Sequence, residues 1–101
     1  MIRASRAYSG GVSEWTFLTN HAHVLVCLSD DESLRVRDIA ERVGITERAV
    51  VRILGELVEA GYLEKFRDGR RNTYRILRDR PLRHPLESAH TVGDLLDSVA
   101  G

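Results

Sequence analysis

The 101-residue chain predicts a mainly α fold with one small β-hairpin. Three observations carry that prediction. From Val36 to Leu54, apolar residues recur at helical spacing on both sides of Gly44, the pattern of two helices broken by a tight turn. Val50, Ile53, Leu54, Leu57 and Val58 then fall at i, i+3, i+4, i+7 and i+8, a single buried stripe on an amphipathic helix that Gly61 stops. Finally, two β-rich runs, Tyr62 to Arg67 and Asn72 to Leu77, enclose the turn Asp68-Gly69-Arg70-Arg71 and read as a hairpin with a basic tip. Helix, turn, helix and basic hairpin in that order make a winged helix-turn-helix, a three-helix core plus wing, here with a short C-terminal helix.

Taken in order, residues 1–14 are small and polar, with Ser9-Gly10-Gly11, and read as a flexible N-terminal arm. The winged helix-turn-helix domain is expected over residues 15–78. Leu18-Thr19-Asn20 offers caps for a first helix through Ala22 to Leu28, apolar on nearly every side and therefore central. A polar loop, Ser29 to Ser33, ends it, and Leu34-Arg35-Val36 alternates as a very short strand would. The second helix is expected from Arg37 to Val43, with Ile39, Ala40 and Val43 inward. Gly44 closes it in the left-handed conformation. Thr46 caps the third helix, over residues 46–60, and Glu47 suits the positive end of its dipole.

Residues 79–101 are expected to be an extended segment and a short helix serving as a dimerisation element. Pro81 and Pro85 exclude a helix in the first part. Thr91-Val92-Gly93-Asp94 reads as a capping box opening the last helix. Its stripe of Val92, Leu95, Leu96 and Val99 needs a partner, because so short a helix is marginal alone. Together with Trp15 and Phe17 it is expected to make a two-fold contact; the alternative is that it folds back on its own first helix.

Net charge is zero, but its distribution is not even. Ten Lys/Arg against seven Asp/Glu between Arg35 and Ile76 leave +3, while residues 1–34 carry −2 and residues 77–101 carry −1. Positive charge thus collects on the helix-turn-helix and hairpin, the footprint of a nucleic-acid reader. No apolar run reaches the ~20 residues that cross a bilayer, and the N-terminus lacks the apolar stretch of a signal peptide. The lone Cys27 rules out an internal disulfide and suits a reducing compartment, so a cytoplasmic protein without membrane contact is expected.

From Leu34 to Leu77 the chain resembles the winged helix-turn-helix transcription regulators of the broad MarR/ArsR type. The resemblance is carried by Asp38-Ile39-Ala40, Val43-Gly44-Ile45-Thr46, Leu57-Val58-Glu59-Ala60-Gly61-Tyr62-Leu63 and the basic wing through Tyr74-Arg75-Ile76. It implies a homodimer on pseudo-palindromic double-stranded operator DNA, with helix 46–60 in the major groove and wing 62–77 on the flanking backbone or minor groove. The DNA-binding positions it implies are Thr46, Glu47, Arg48, Val51 and Arg52, with Arg70 and Arg71 at the wing tip. Helical spacing agrees, since Arg48 and Arg52 are four apart and share a face away from the apolar stripe. Their competing use is salt bridging to Glu47 or Glu56. The chain is short of the long terminal helices that enclose an effector pocket in larger MarR proteins, so a sizeable pocket is not expected.

Other readings weigh less. His21, His23, His84 and His90 do not fall at the three- or four-ligand spacings of a zinc site, so neither a metal nor another cofactor is expected. His21 is expected to pack or cap, and Cys27, in an apolar run, to be inert core. Neither a nucleophile–base pair, nor a phosphate-cradling Gly-rich loop, nor paired catalytic carboxylates appear, so an enzyme is not expected. The alternatives to DNA reading are a winged helix used only for protein interaction, and a metal- or thiol-responsive sensor with the same head.

Overall fold

Three of the helices begin on a threonine whose hydroxyl accepts from a first-turn N–H. The computed structural model describes residues 15–100; the arm expected over residues 1–14 lies outside the described residues. Helix α1 (Asn20–Asp30) starts on Thr19, whose hydroxyl accepts from the Ala22 N–H. In α2 (Val36–Val43) the carboxylate of Asp38 reaches back to the Arg35 N–H at 3.3 Å. Helix α3 (Glu47–Glu59) is capped by the Thr46 hydroxyl, which accepts from the Ala49 N–H at 3.0 Å. The last helix, α4 (Val92–Val99), opens on the expected capping box: Thr91 Oγ1 accepts from Asp94 N–H, and the Asp94 carboxylate accepts from Thr91 N–H. Such caps contribute about 1 kcal/mol each, enough to set where a short helix starts.

Gly44 ends α2 at φ 86°, a left-handed geometry that costs a β-carbon-bearing residue about 1 kcal/mol or more. With the Gly44 and Ile45 N–H groups both donating to the Ala40 carbonyl, the chain turns sharply enough to set α3 across α2. Beyond α3, strands β1 (Leu63–Asp68) and β2 (Arg71–Ile76) pair antiparallel from Leu63↔Ile76 out to Asp68↔Arg71. Only the base of this hairpin is buried, at Leu63 and Ile76. The rest projects from the body as the wing.

The core lies where α1, α2 and α3 meet, over the hairpin base: Val24, Leu28, Ile39, Val50 and Ile53 are each at most 1% exposed. Every residue of the α3 stripe except Val58, which is half-buried, is fully buried.

Two expectations are corrected. Leu34–Val36 does not form a strand. Val36 already opens α2, and the Ser33 carbonyl beside it is taken by the Arg71 guanidinium from the wing, so the wing is tied to this loop by a side chain and not by a third strand's ladder. Of the α4 stripe, Val92 and Leu96 are used inside the chain and are not left for a partner. Val92 and Leu96 are each 1% exposed, packed on α1 of the same chain, and only Leu95 in part and Val99 remain outward.

The segment from Arg78 to Thr91 is not helical, but it bends instead of extending. Pro81 and Thr91 form an isolated antiparallel bridge, while Leu82 N–H donates to the His90 carbonyl and Val92 N–H to that of Arg80. The prolines cannot donate but can accept, and the Pro81 carbonyl takes the Tyr62 hydroxyl at 2.6 Å. Gly93 seals the arrangement, because a β-carbon there would meet the Arg78 carbonyl oxygen at 3.0 Å. An ion pair from Arg78 to Asp97 ties the start of the segment to α4.

Candidate nucleic-acid interface

With the apolar stripe of α3 buried, its opposite face is left to solvent. That face carries Glu47, Arg48, Val51, Arg52 and Gly55, all exposed, with Val51 at 57% although it is apolar. An outward β-branched residue between two arginines on a helix preceded by a tight turn fits contact with base edges, where an apolar methyl can meet thymine and a guanidinium fork can meet guanine. Thr46 is exposed too, but its hydroxyl is committed to the Ala49 N–H. It fixes where the helix begins and aims the unpaired N–H groups of the first turn outward.

Arg48 has no hydrogen-bond or ion-pair partner among the described residues. Arg52 does: its Nη1 lies 3.3 Å from Oε1 of Glu56 and 3.4 Å from Oε2, the i, i+4 salt bridge that the sequence offers as its competing use. Both side chains are about half exposed, so solvent screens this pair and it is weak. The same Oε1 of Glu56 has a second contact, His21 Nε2 of α1, at 2.7 Å. His21 therefore neither caps α1 nor packs in the core. It bonds the carboxylate that holds Arg52. The sequence offers no sign of this contact, because the two residues are 35 apart.

The wing separates its two tip arginines. Gly69 takes φ 64° in the turn, and Arg70 beside it is exposed, without a partner among the described residues. Arg71 is half-buried and donates from Nη2 to the Ser33 carbonyl. That carbonyl belongs to a loop held by Asp31, whose Oδ1 accepts from Ser33 N–H at 2.9 Å and Ser33 Oγ at 2.6 Å. These bonds hold the Asp31 carboxyl below its ordinary range. Arg71 thus fixes the angle of the wing, and Arg70 is the tip residue free to reach outward. On the outer face of the hairpin Arg75 pairs with Glu64 at 2.5 Å and lies 5.3 Å over the Phe66 ring, covering an aromatic that would otherwise be bare.

Away from α3's solvent face, the start of α1, the end of α3 and the Pro81–Thr91 segment enclose an open groove of about 790 Å³. Phe17, Leu18, Leu25, Leu57, Leu82 and Leu95 make its apolar surface. A space of this size was not expected from such short flanks. It arises because the tail folds back beside α1 without filling the angle between α1 and α3. At its edge Phe17 is 92% exposed and meets Trp15, itself 76% exposed, edge to face with ring centres 4.9 Å apart.

Cys27 is 8% exposed, and burial pushes its thiol up, away from the thiolate a redox sensor needs. Among the described residues, no three His, Cys, Asp or Glu side chains converge as metal ligands would. No helix among them is long and apolar enough to cross a membrane.

Among solved structures the chain is similar to the zinc-dependent MarR family transcriptional regulator AdcR in its Zn(II)-bound state, with 29% identity and a TM-score of 0.45 over 62% of this chain. The match takes in 45% of that regulator, so the chain spans less than half of its length. No curated protein matches the chain. The MarR family model, however, matches residues 19–71, from the cap of α1 through both helices of the turn motif to the wing tip. A chain matched over that span, and folded as four helices and a two-stranded wing, belongs to the MarR family.

Proposed function

We propose that the protein is a transcriptional regulator that binds double-stranded DNA in a sequence-specific manner as a homodimer. The observation that carries this reading is the solvent face of α3. Arg48 and Arg52 stand one turn apart around the exposed Val51, on a helix whose other side is wholly committed to the core. Placed in the major groove, Arg48, Val51 and Arg52 read base edges, and Thr46 and Glu47 orient the helix start. Arg70 meets the flanking backbone or minor groove, and Arg71 keeps the wing at the angle that allows it. Glu56 and Glu59 repel phosphate, so the N-terminal half of α3 is the part that enters.

The dimer rests on the groove and its rim. With Val92 and Leu96 used inside the chain, the apolar surface left over is Trp15, Phe17, Leu95 and the groove floor, together with Leu86 at 90% exposure and Val99 at 45%. A second copy of the chain covers that surface and sets two reading heads on half-sites roughly 34–36 Å apart, one helical turn of DNA.

Selection of binding sites from a random duplex pool tests the reading. A two-fold symmetric consensus is expected, with Arg48→Ala and Arg52→Ala losing site preference by about 1–3 kcal/mol per base-edge contact. Retention of wild-type preference by both variants refutes the assignment of α3. Binding to protein partners with no salt-sensitive affinity for any duplex would instead favour a winged helix used for protein interaction.

A further inference from the structure

The carboxylate of Glu56 is claimed from two sides. From α3 itself, Arg52 Nη1 approaches Oε1 at 3.3 Å and Oε2 at 3.4 Å. From α1, His21 Nε2 reaches Oε1 at 2.7 Å. The shorter bond belongs to His21, and the Arg52 contacts are at the long limit for an N–H donor. Their order along the helix is also the poorer one, with the cation toward the N-terminus and the anion toward the C-terminus. The carboxyl of Glu56 is held below its ordinary range chiefly by the His21 bond and only secondarily by Arg52. Arg52 is thus the weaker of two partners on a carboxylate that bridges two helices.

We propose that His21 and Glu56 are positioning residues for DNA reading: Glu56 draws Arg52 back along α3, and His21, by engaging Glu56, leaves Arg52 free to reach the DNA. This rests on the assignment of α3 as the reading helix. Neither His21 nor Glu56 touches a base. His21 lies on the wall of the apolar groove, on the side of α1 that faces the end of α3. The state of Arg52 is therefore set in part by a residue of α1.

The two positioning residues must act with opposite signs. Replacing Glu56 removes the acceptor that holds Arg52 and raises affinity. Replacing His21 leaves Glu56 to Arg52 alone and lowers affinity. An exposed i, i+4 pair is weak, so each change is about twofold.

The experiment measures affinity for the selected duplex across a salt series with the full chain and its variants. His21→Ala is expected to weaken binding about twofold and Glu56→Gln to tighten it by more than Glu59→Gln, which removes the same charge one turn on without freeing an arginine. In an Arg52→Ala background, Glu56→Gln is expected to do no more than Glu59→Gln, and His21→Ala to do nothing. The double variant with both His21→Ala and Glu56→Gln is expected to match Glu56→Gln alone. If His21→Ala is silent, or if the Glu56→Gln gain persists in full without Arg52, the proposal is overturned and Glu56 acts by simple repulsion of phosphate. Failure of the wild type to bind any duplex would refute the assignment of α3 itself, a distinct outcome read before any variant is made.

Discussion

Replacing Leu96 with alanine asks whether α4 belongs to its own monomer. Leu96 is 1% exposed. The change deletes three carbons, about 2.4 kcal/mol of transfer at ~0.8 kcal/mol each. An unfilled cavity raises the cost toward the ~2.7–5 kcal/mol found for buried leucines. Being eight residues long, α4 can instead peel away, which caps the loss at the free energy of docking. The expected loss is therefore about 3 kcal/mol, a fall in Tm of roughly 12–24 °C for a domain of this size. Val99→Ala, at a position 45% exposed, is expected to cost under about 0.5 kcal/mol. Guanidinium melts at two protein concentrations check both. The Leu96→Ala loss should not depend on concentration, because the contact it removes lies within one chain. A loss under about 1 kcal/mol, or one that grows on dilution, would refute the packing of α4 on α1 and return Leu96 to a dimer contact.

Other predictions follow from the separate duties of neighbouring residues. Arg70→Ala is expected to lower duplex affinity nearly uniformly across sequences and to reduce the salt slope by about 0.9, the value of one phosphate contact. Arg71→Ala should loosen the wing, visible as faster amide exchange in β1 and β2, with a smaller change in slope; equal effects of the two on slope and exchange would show that both arginines do the same work. Gly44→Ala forces a β-carbon into a φ of 86° and is expected to destabilise the fold by about 1–2 kcal/mol, measured by urea melts. Asp94 is held below the ordinary carboxylate range by its bond from the Thr91 N–H. A depressed carboxyl contributes stability that is complete above its unfolded value, near 3.9, and lost as pH falls through the folded one. Thermal melts through that acid range should therefore fall more steeply for the wild type than for Asp94→Asn, and parallel curves would disprove the linkage.

Local chemistry was enough to place most of the elements. Thr19, Thr46 and Thr91 mark helix starts because a hydroxyl on an extended cap residue accepts from a first-turn N–H, and Gly44 marks the break because left-handed backbone favours it. The apolar stripe of α3 determined its outward face, and so brought Arg48, Val51 and Arg52 together before any packing was considered. Those properties depend on neighbours within one or two turns.

What only the tertiary structure decided are contacts between residues far apart in the chain. Leu34–Val36 has the alternation of a strand, but pairing needs a neighbour, and the Ser33 carbonyl is taken by Arg71 from 38 residues away. The α4 stripe is equally apolar whether it meets a second copy or its own α1, and the turn closed at Pro81 and Thr91 brings it to α1. The same holds for the wing tip and for Glu56. Arg70 and Arg71 are alike in sequence, yet one faces solvent and the other anchors the wing, and nothing local distinguishes a carboxylate that pairs along its helix from one that also meets His21 on another. Periodicity fixes which side of a segment turns inward; which partner waits there is settled by how the segments close on one another.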